Sequence, residues 1–83
     1  MGPQFHARAT YRFATDASKK IDLIVYSAGH SDHAFELHVS TGSEPVVGDK
    51  PRVISAWRRE NQMLEAAGFL LDSMRIVDHN FDL

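Results

Sequence analysis

The segment "FHARATYRF", residues 5 to 13, restricts the fold more than any other stretch of the chain. Phe5, Ala7, Ala9, Tyr11 and Phe13 alternate with His6, Arg8, Thr10 and Arg12 without an exception. Successive side chains on a strand point to opposite faces, so the pattern predicts a strand with one buried and one wet face. A sheet that is apolar on one face has to be covered, and the rest of the chain must supply the cover.

Two further stretches extend the sheet. In "IDLIVYSA" (21–28) Ile21, Leu23 and Val25 define one face, and Asp22, Ile24 and Tyr26 the other. In "AFELHVS" (34–40) Phe35, Leu37 and Val39 share a side. The polar "TDASKK" (15–20) reads as the first turn and "GHSDH" (29–33) as the second, which gives an antiparallel three-stranded meander. The stretch "TGSEPVVGDKP" (41–51) holds two glycines and two prolines and is expected to leave the sheet as a loop.

The apolar period then changes. Val53, Trp57, Leu64, Ala67 and Leu71 fall at helical intervals, flanked by Ile54 and Met63. Asp49 is the expected N-cap, and Pro51 is tolerated in the first turn, where no intrahelical N–H is lost. Trp57 lies on the apolar stripe and is expected in the core. "LEAAGF" (64–69) reads as a C-terminal cap, with Gly68 left-handed and Phe69 folding back on Leu64, so the helix should end near Ala67. A helix running on to Met74 is the alternative, because Leu71 and Met74 also fit the stripe. The remainder, "LLDSMRIVDHNFDL" (70–83), is expected to form a fourth strand with Val77, Phe81 and Leu83 on one side.

The order is therefore β-β-β-α-β: a two-layer α+β domain spanning residues 1–83. The helix should cover Phe5, Tyr11, Phe13, Leu23, Val25, Phe35, Leu37 and Val39. With the first turn centred near Ala17, Arg12 would face Asp22, Thr10 would face Ile24 and Arg8 would face Tyr26. With the second centred near Ser31, Tyr26 would face Glu36 and Ile24 would face His38. Two cross-strand rows result, Arg8–Tyr26–Glu36 and Thr10–Ile24–His38, with Arg8 lying on the Tyr26 ring.

The chemistry available is limited. The chain has 43% apolar and 24% charged residues, as ordinary globular domains do. It has no cysteine, which excludes disulfides and thiolate metal sites. No apolar run approaches the roughly 20 residues of a membrane helix. The N-terminal stretch has no uninterrupted apolar run of the signal-peptide kind, so a cytoplasmic protein is expected. No Walker loop, G-x-G-x-x-G, G-x-S-x-G or H-E-x-x-H occurs, and no enzyme activity or cofactor is expected.

"HSDHAFELH" (30–38) concentrates His30, Asp32, His33, Glu36 and His38. A tetrahedral metal site needs three or four ligands on one point, whereas on a strand only Glu36 and His38 share a face. The expected reading is a solvated strand edge without a metal; a metal-dependent function is the alternative.

Net charge is −2, which disfavours a general nucleic-acid binder. Residues 50–59 nonetheless carry Lys50, Arg52, Arg58 and Arg59, while residues 60–83 carry Glu60, Glu65, Asp72, Asp78 and Asp82 against Arg75. Cations early in a helix oppose its macrodipole. Glu44 and Asp49 are the expected internal neutralisers; an anion-facing patch, for nucleic acid or an acidic protein surface, is the alternative.

The expected contact surfaces are thus the outer sheet face (Arg8, Arg12, Ile24, Tyr26, Glu36, His38) and the basic helix segment (Arg52, Arg58, Arg59). Size and the lack of catalytic apparatus resemble small phage- or plasmid-encoded inhibitors, anti-CRISPR proteins among them. That size-class resemblance implies action by covering a partner's surface, and the partner is expected to be another protein or a second copy of the chain.

Overall fold

In the computed structural model, which describes residues 5–29, 33–78 and 81–83, the alternating segment forms β1 (Phe5–Phe13). Behind it come β2 (Asp16–Ser27), β3 (Phe35–Val39), β4 (Val46–Gly48), α1 (Lys50–Ala66) and β5 (Phe69–Ile76). The five strands make one sheet in the order β4-β3-β2-β1-β5, antiparallel at every step. The helix packs on one face of this sheet, touching β3 and β4 on one side and β5 on the other. The protein is an α+β fold of two layers, as the patterning predicts.

The core lies between the layers. Ala7, Ala9, Tyr11, Leu23, Val25, Phe35 and Leu37 come from the strands, and Val53, Ala56, Trp57 and Leu64 from the helix. Tyr11 has no exposed surface, and its hydroxyl donates to Asn61 Oδ1 on the helix. Asn61 Nδ2 in turn donates to Glu65 Oε1 at 3.3 Å. Burial first, and then the Glu65 carboxylate, push the Tyr11 phenol above its ordinary value.

The helix begins and ends where its caps predict. Asp49 accepts a hydrogen bond from the Arg52 N–H at 3.1 Å, and Pro51 sits in the first turn. At the other end Gly68 has φ +94° and its N–H donates to the Glu65 carbonyl at 3.0 Å. The Phe69 ring meets Phe13 edge-on with centroids 5.2 Å apart.

Four details of the strands differ from the sequence expectation. The first turn is Ala14 and Thr15 alone, and β2 already starts at Asp16. Residues 17–19 bulge out, because Phe13 pairs with Asp16 and Arg12 with Lys20. The Asp16 carboxylate accepts from the Ser18 hydroxyl and N–H at 2.6 and 3.1 Å, and these two bonds hold it below the usual carboxylate range. Arg12 also donates to the Ala17 carbonyl at 2.9 Å. The register of β1 against β2 is consequently two residues from the expected one. A shift of two keeps every side chain on its face, where a shift of one would have inverted them all.

Second, β1 carries a bulge at His6: Ala7 pairs with Val25, but Phe5 pairs with Tyr26. The extra residue reverses the side on which Phe5 projects. Phe5 is therefore not a core residue but stands on the outer face. Third, the expected loop 41–51 contains β4, whose Val46 and Val47 pair with Leu37 and Glu36. Fourth, the last strand starts earlier than expected and ends at Ile76, beside β1. Phe81 leaves the strand pattern and plugs the core at 1% exposure, whereas Val77 is 45% exposed.

Candidate functional site: the bare face of the sheet

Among the described residues, those opposite the buried positions form a face that no helix covers. The strand register sorts them into two rows. One runs Phe5–Tyr26–Glu36–Val47 and the other Arg75–Arg8–Ile24–His38. Of the expected cross-strand neighbours, Tyr26–Glu36 and Ile24–His38 form as predicted. The expected Arg8–Tyr26, Thr10–Ile24 and Arg12–Asp22 pairings do not form, because the tight turn and the bulge at 17–19 together shift the register by two residues.

Tyr26 and His38 pack edge to face, ring centroids 5.1 Å apart. His38 Nε2 lies 3.8 Å from Glu36 Oε1. Arg8 lies 3.6 Å from Asp22 Oδ2, which Lys20 also approaches at 3.9 Å. Asp22 is further held by the Thr10 hydroxyl, donating at 2.7 Å, and this polar cluster fills the middle of the face. Arg12 is bound to Asp72 at 3.0 Å, away from the aromatic residues. The face therefore has an apolar part, Phe5, Ile24, Tyr26 and Val47 with His38, and a polar part centred on Asp22. A shallow depression of about 410 Å³ opens beside Phe5, lined also by Arg8, Thr10, Ser73 and Arg75.

Of the helix arginines, Arg52 and Arg59 are seven residues apart and share a helix face, with Arg58 turned away from it. Successive helical residues are about 100° apart, so Arg58 and Arg59 point in different directions. Arg58 reaches the carbonyl of Asp82 at 3.4 Å. Arg52 lays its aliphatic stem over Gly48, where a Cβ would collide with it. Asp49 caps the Arg52 backbone N–H. The first turn holds no acidic side chain and the last no basic one, so the charge order runs against the dipole.

Of the segment 30–38, His30 and Asp32 lie outside the described residues. Among the described residues no group of three His, Asp or Glu side chains comes together to hold a metal.

One constellation was not legible in the sequence. The His6 ring lies between Asp78 and Ser27, with Nδ1 3.1 Å from Asp78 Oδ2 and Nε2 2.7 Å from Ser27 Oγ. These are the residue types and contacts of a hydrolytic triad. A hydrolase also needs N–H donors aimed at an oxyanion, often including the N–H after the nucleophile. Here that donor, the Ala28 N–H, is spent on the Ala34 carbonyl at 2.9 Å. His6 also has an architectural part. Its carbonyl accepts from Val77 and Asp78 at 2.9 and 3.1 Å, and its ring packs 5.4 Å from Phe81 and 5.1 Å from Phe35. It fastens the C-terminal segment to the ends of β1 and β2.

No protein-family model, curated protein or solved structure matches the chain. Among the described residues no helix is long and apolar enough to cross a membrane.

Proposed function

We propose that this chain is a small non-enzymatic protein-binding module, an inhibitor or regulator working in the cytoplasm by laying the bare face of its sheet on a partner protein. The observation that carries the reading is the position of Phe5. The His6 bulge turns its ring outward beside Tyr26, enlarging the apolar area next to Ile24 and Val47. Aromatic residues bordered by arginine and other polar groups are the composition that interface centres favour. Arg8, Glu36 and His38 are that border here, and the sheet needs no side chain on this face for its own core.

Arg12 is paired with Asp72, and Arg52, Arg58 and Arg59 lie on the helix, so this reading gives them at most a marginal share of the contact. The test is capture from the native host on immobilised protein, comparing the wild type with a Phe5→Ala, Tyr26→Ala variant. A protein retained by the first and lost from the second supports the reading; identical retention removes the sheet face as the site. If nucleic acid is retained instead, with affinity falling steeply as salt rises, the arginine reading replaces this one.

A further inference from the structure

We propose that the chain pairs with a second copy of itself through the free edge of β5, making a continuous sheet of ten strands. This concerns a different surface from the bare sheet face, so either proposal can fail without the other.

The sheet has two edges, and they differ. β4 spans three residues, while β5 spans eight and presents a long row of backbone groups outward. Its charged residues are only Asp72 and Arg75. Leu70, Leu71 and Met74 are 61%, 47% and 40% exposed, an unusual load of apolar surface for a strand edge. Leu71 and Met74 also wall a groove of about 340 Å³ between β5 and α1, whose other side includes Trp57 and Asn61.

The second observation is the order of faces along β5. Phe69, Leu71, Met74 and Ile76 pair with Phe13, Tyr11, Ala9 and Ala7, so they share the helix side. Ser73 and Arg75 pair with Thr10 and Arg8 on the outer side. Asp72 is the extra residue of a bulge, and its carboxylate reaches Arg12. The pattern is therefore the same read from either end about the midpoint between Asp72 and Ser73. A bulge ordinarily blunts an edge; at the strand's midpoint it instead makes the strand self-complementary. Antiparallel pairing about that point sets Leu71 against Met74 of the second copy, inner side on inner side. Two-fold dimers require such a self-matching surface.

Charge points the same way. Arg8 and Arg75 are directly opposite each other, an unfavourable like-charge pair. Arg8 has Asp22, whereas Arg75 lies over the Phe5 ring at 5.9 Å. In the paired sheet Asp72 of the second copy comes diagonal to Arg75, within reach of a long side chain.

Light scattering across a concentration series tests this, with cross-linking as a second readout. The expected mass is twice the single chain's 9.3 kDa, falling to the single-chain mass in a Leu71→Lys, Met74→Lys variant whose circular dichroism is unchanged. The chain has no cysteine, so Ser73→Cys is a unique thiol. Its counterpart across the proposed axis lies about 6 Å away between Cα atoms, inside disulfide range. Oxidation should therefore give a covalent dimer from Ser73→Cys and none from Val47→Cys on the other edge. Single-chain mass for the wild type up to about 1 mM, where association is worth only about 4 kcal/mol, overturns the proposal. So does a dimer that Ser73→Cys fails to cross-link, or that cross-links equally from Val47→Cys. If the lysine variant does not fold, the cysteine pair decides alone.

Discussion

Phe5 stands directly across from Tyr26 on the uncovered side of the sheet. Two phenylalanines therefore have opposite duties in this small chain, since Phe81 is fully buried. Phe81→Ala is expected to cost about 3–5 kcal/mol of stability, the usual loss for a core aromatic. Phe5→Ala should cost less than about 1.5 kcal/mol, because a partly buried ring outside the core leaves no core cavity when truncated. Urea denaturation of both variants checks the contrast; equal losses would place Phe5 in the core after all.

His6 ties the C-terminal segment to the sheet. His6→Ala removes the ring contacts to Phe35 and Phe81 and the bond to Asp78 together. The expected loss is about 1–3 kcal/mol, with faster hydrogen exchange over residues 77–83 than elsewhere. Ser27→Ala, at an exposed position, should cost under about 1 kcal/mol. A serine-directed phosphonate should label the wild type no more than Ser27→Ala. Specific labelling of Ser27 would show a nucleophile and reverse the architectural reading.

Tyr11 makes stability depend on alkaline pH. Burial, then Glu65, raise its phenol above the ordinary 10.0. A raised value means that the fold holds the proton more tightly than the unfolded chain does. The contribution is thus complete below pH 10.0 and is lost as pH climbs through the folded value. Tyr11→Phe lacks the bond to Asn61 and is expected to be about 1–2 kcal/mol less stable than the wild type at neutral pH. That gap should narrow above about pH 10, because only the wild type must ionise a buried phenol. Denaturation of the pair at both pH values measures it, and a widening gap contradicts the sign.

The two caps of α1 set its length. Asp49→Ala should cost about 1 kcal/mol through the lost bond to the Arg52 N–H. At Gly68, φ is +94° and an added Cβ would stand 3.1 Å from the Phe13 ring. Gly68→Ala should therefore cost at least about 1–2 kcal/mol, and Gly68→Val more. Melting temperatures of the three variants decide this; a neutral Gly68→Ala would mean that the helix end is easily remodelled.

The readable parts of the fold were those with a repeating local cause. Alternation gave β1, β2 and β3 their faces, the change of period marked α1, and Asp49, Pro51 and Gly68 marked its ends. What escaped the reading was set by single residues or by distant partners. The bulge at His6 has no local signature, because a histidine fits an outward position and the alternation looks unbroken. By alternation alone Phe5 belongs with the core residues. β4 is too short to show a period, follows Pro45 and ends in Gly48, so it reads as loop. The ion pair of Arg8 with Asp22 depended on the tight turn at Ala14–Thr15 and the bulge at 17–19, which together shift the register by two residues. On the outer face Tyr26, Glu36, Ile24 and His38 were legible as neighbours, since their register follows from the second connection alone.

The most direct measurement of the central claim is the affinity of the captured partner for the wild type and for an Arg8→Ala, Tyr26→Ala variant, by titration calorimetry at fixed salt. Interface centres lose about 2 kcal/mol or more when an aromatic or arginine is truncated. The account therefore predicts at least a roughly thirtyfold weaker complex, with the variant's own melting temperature nearly unchanged. An affinity equal to that of the wild type would contradict it.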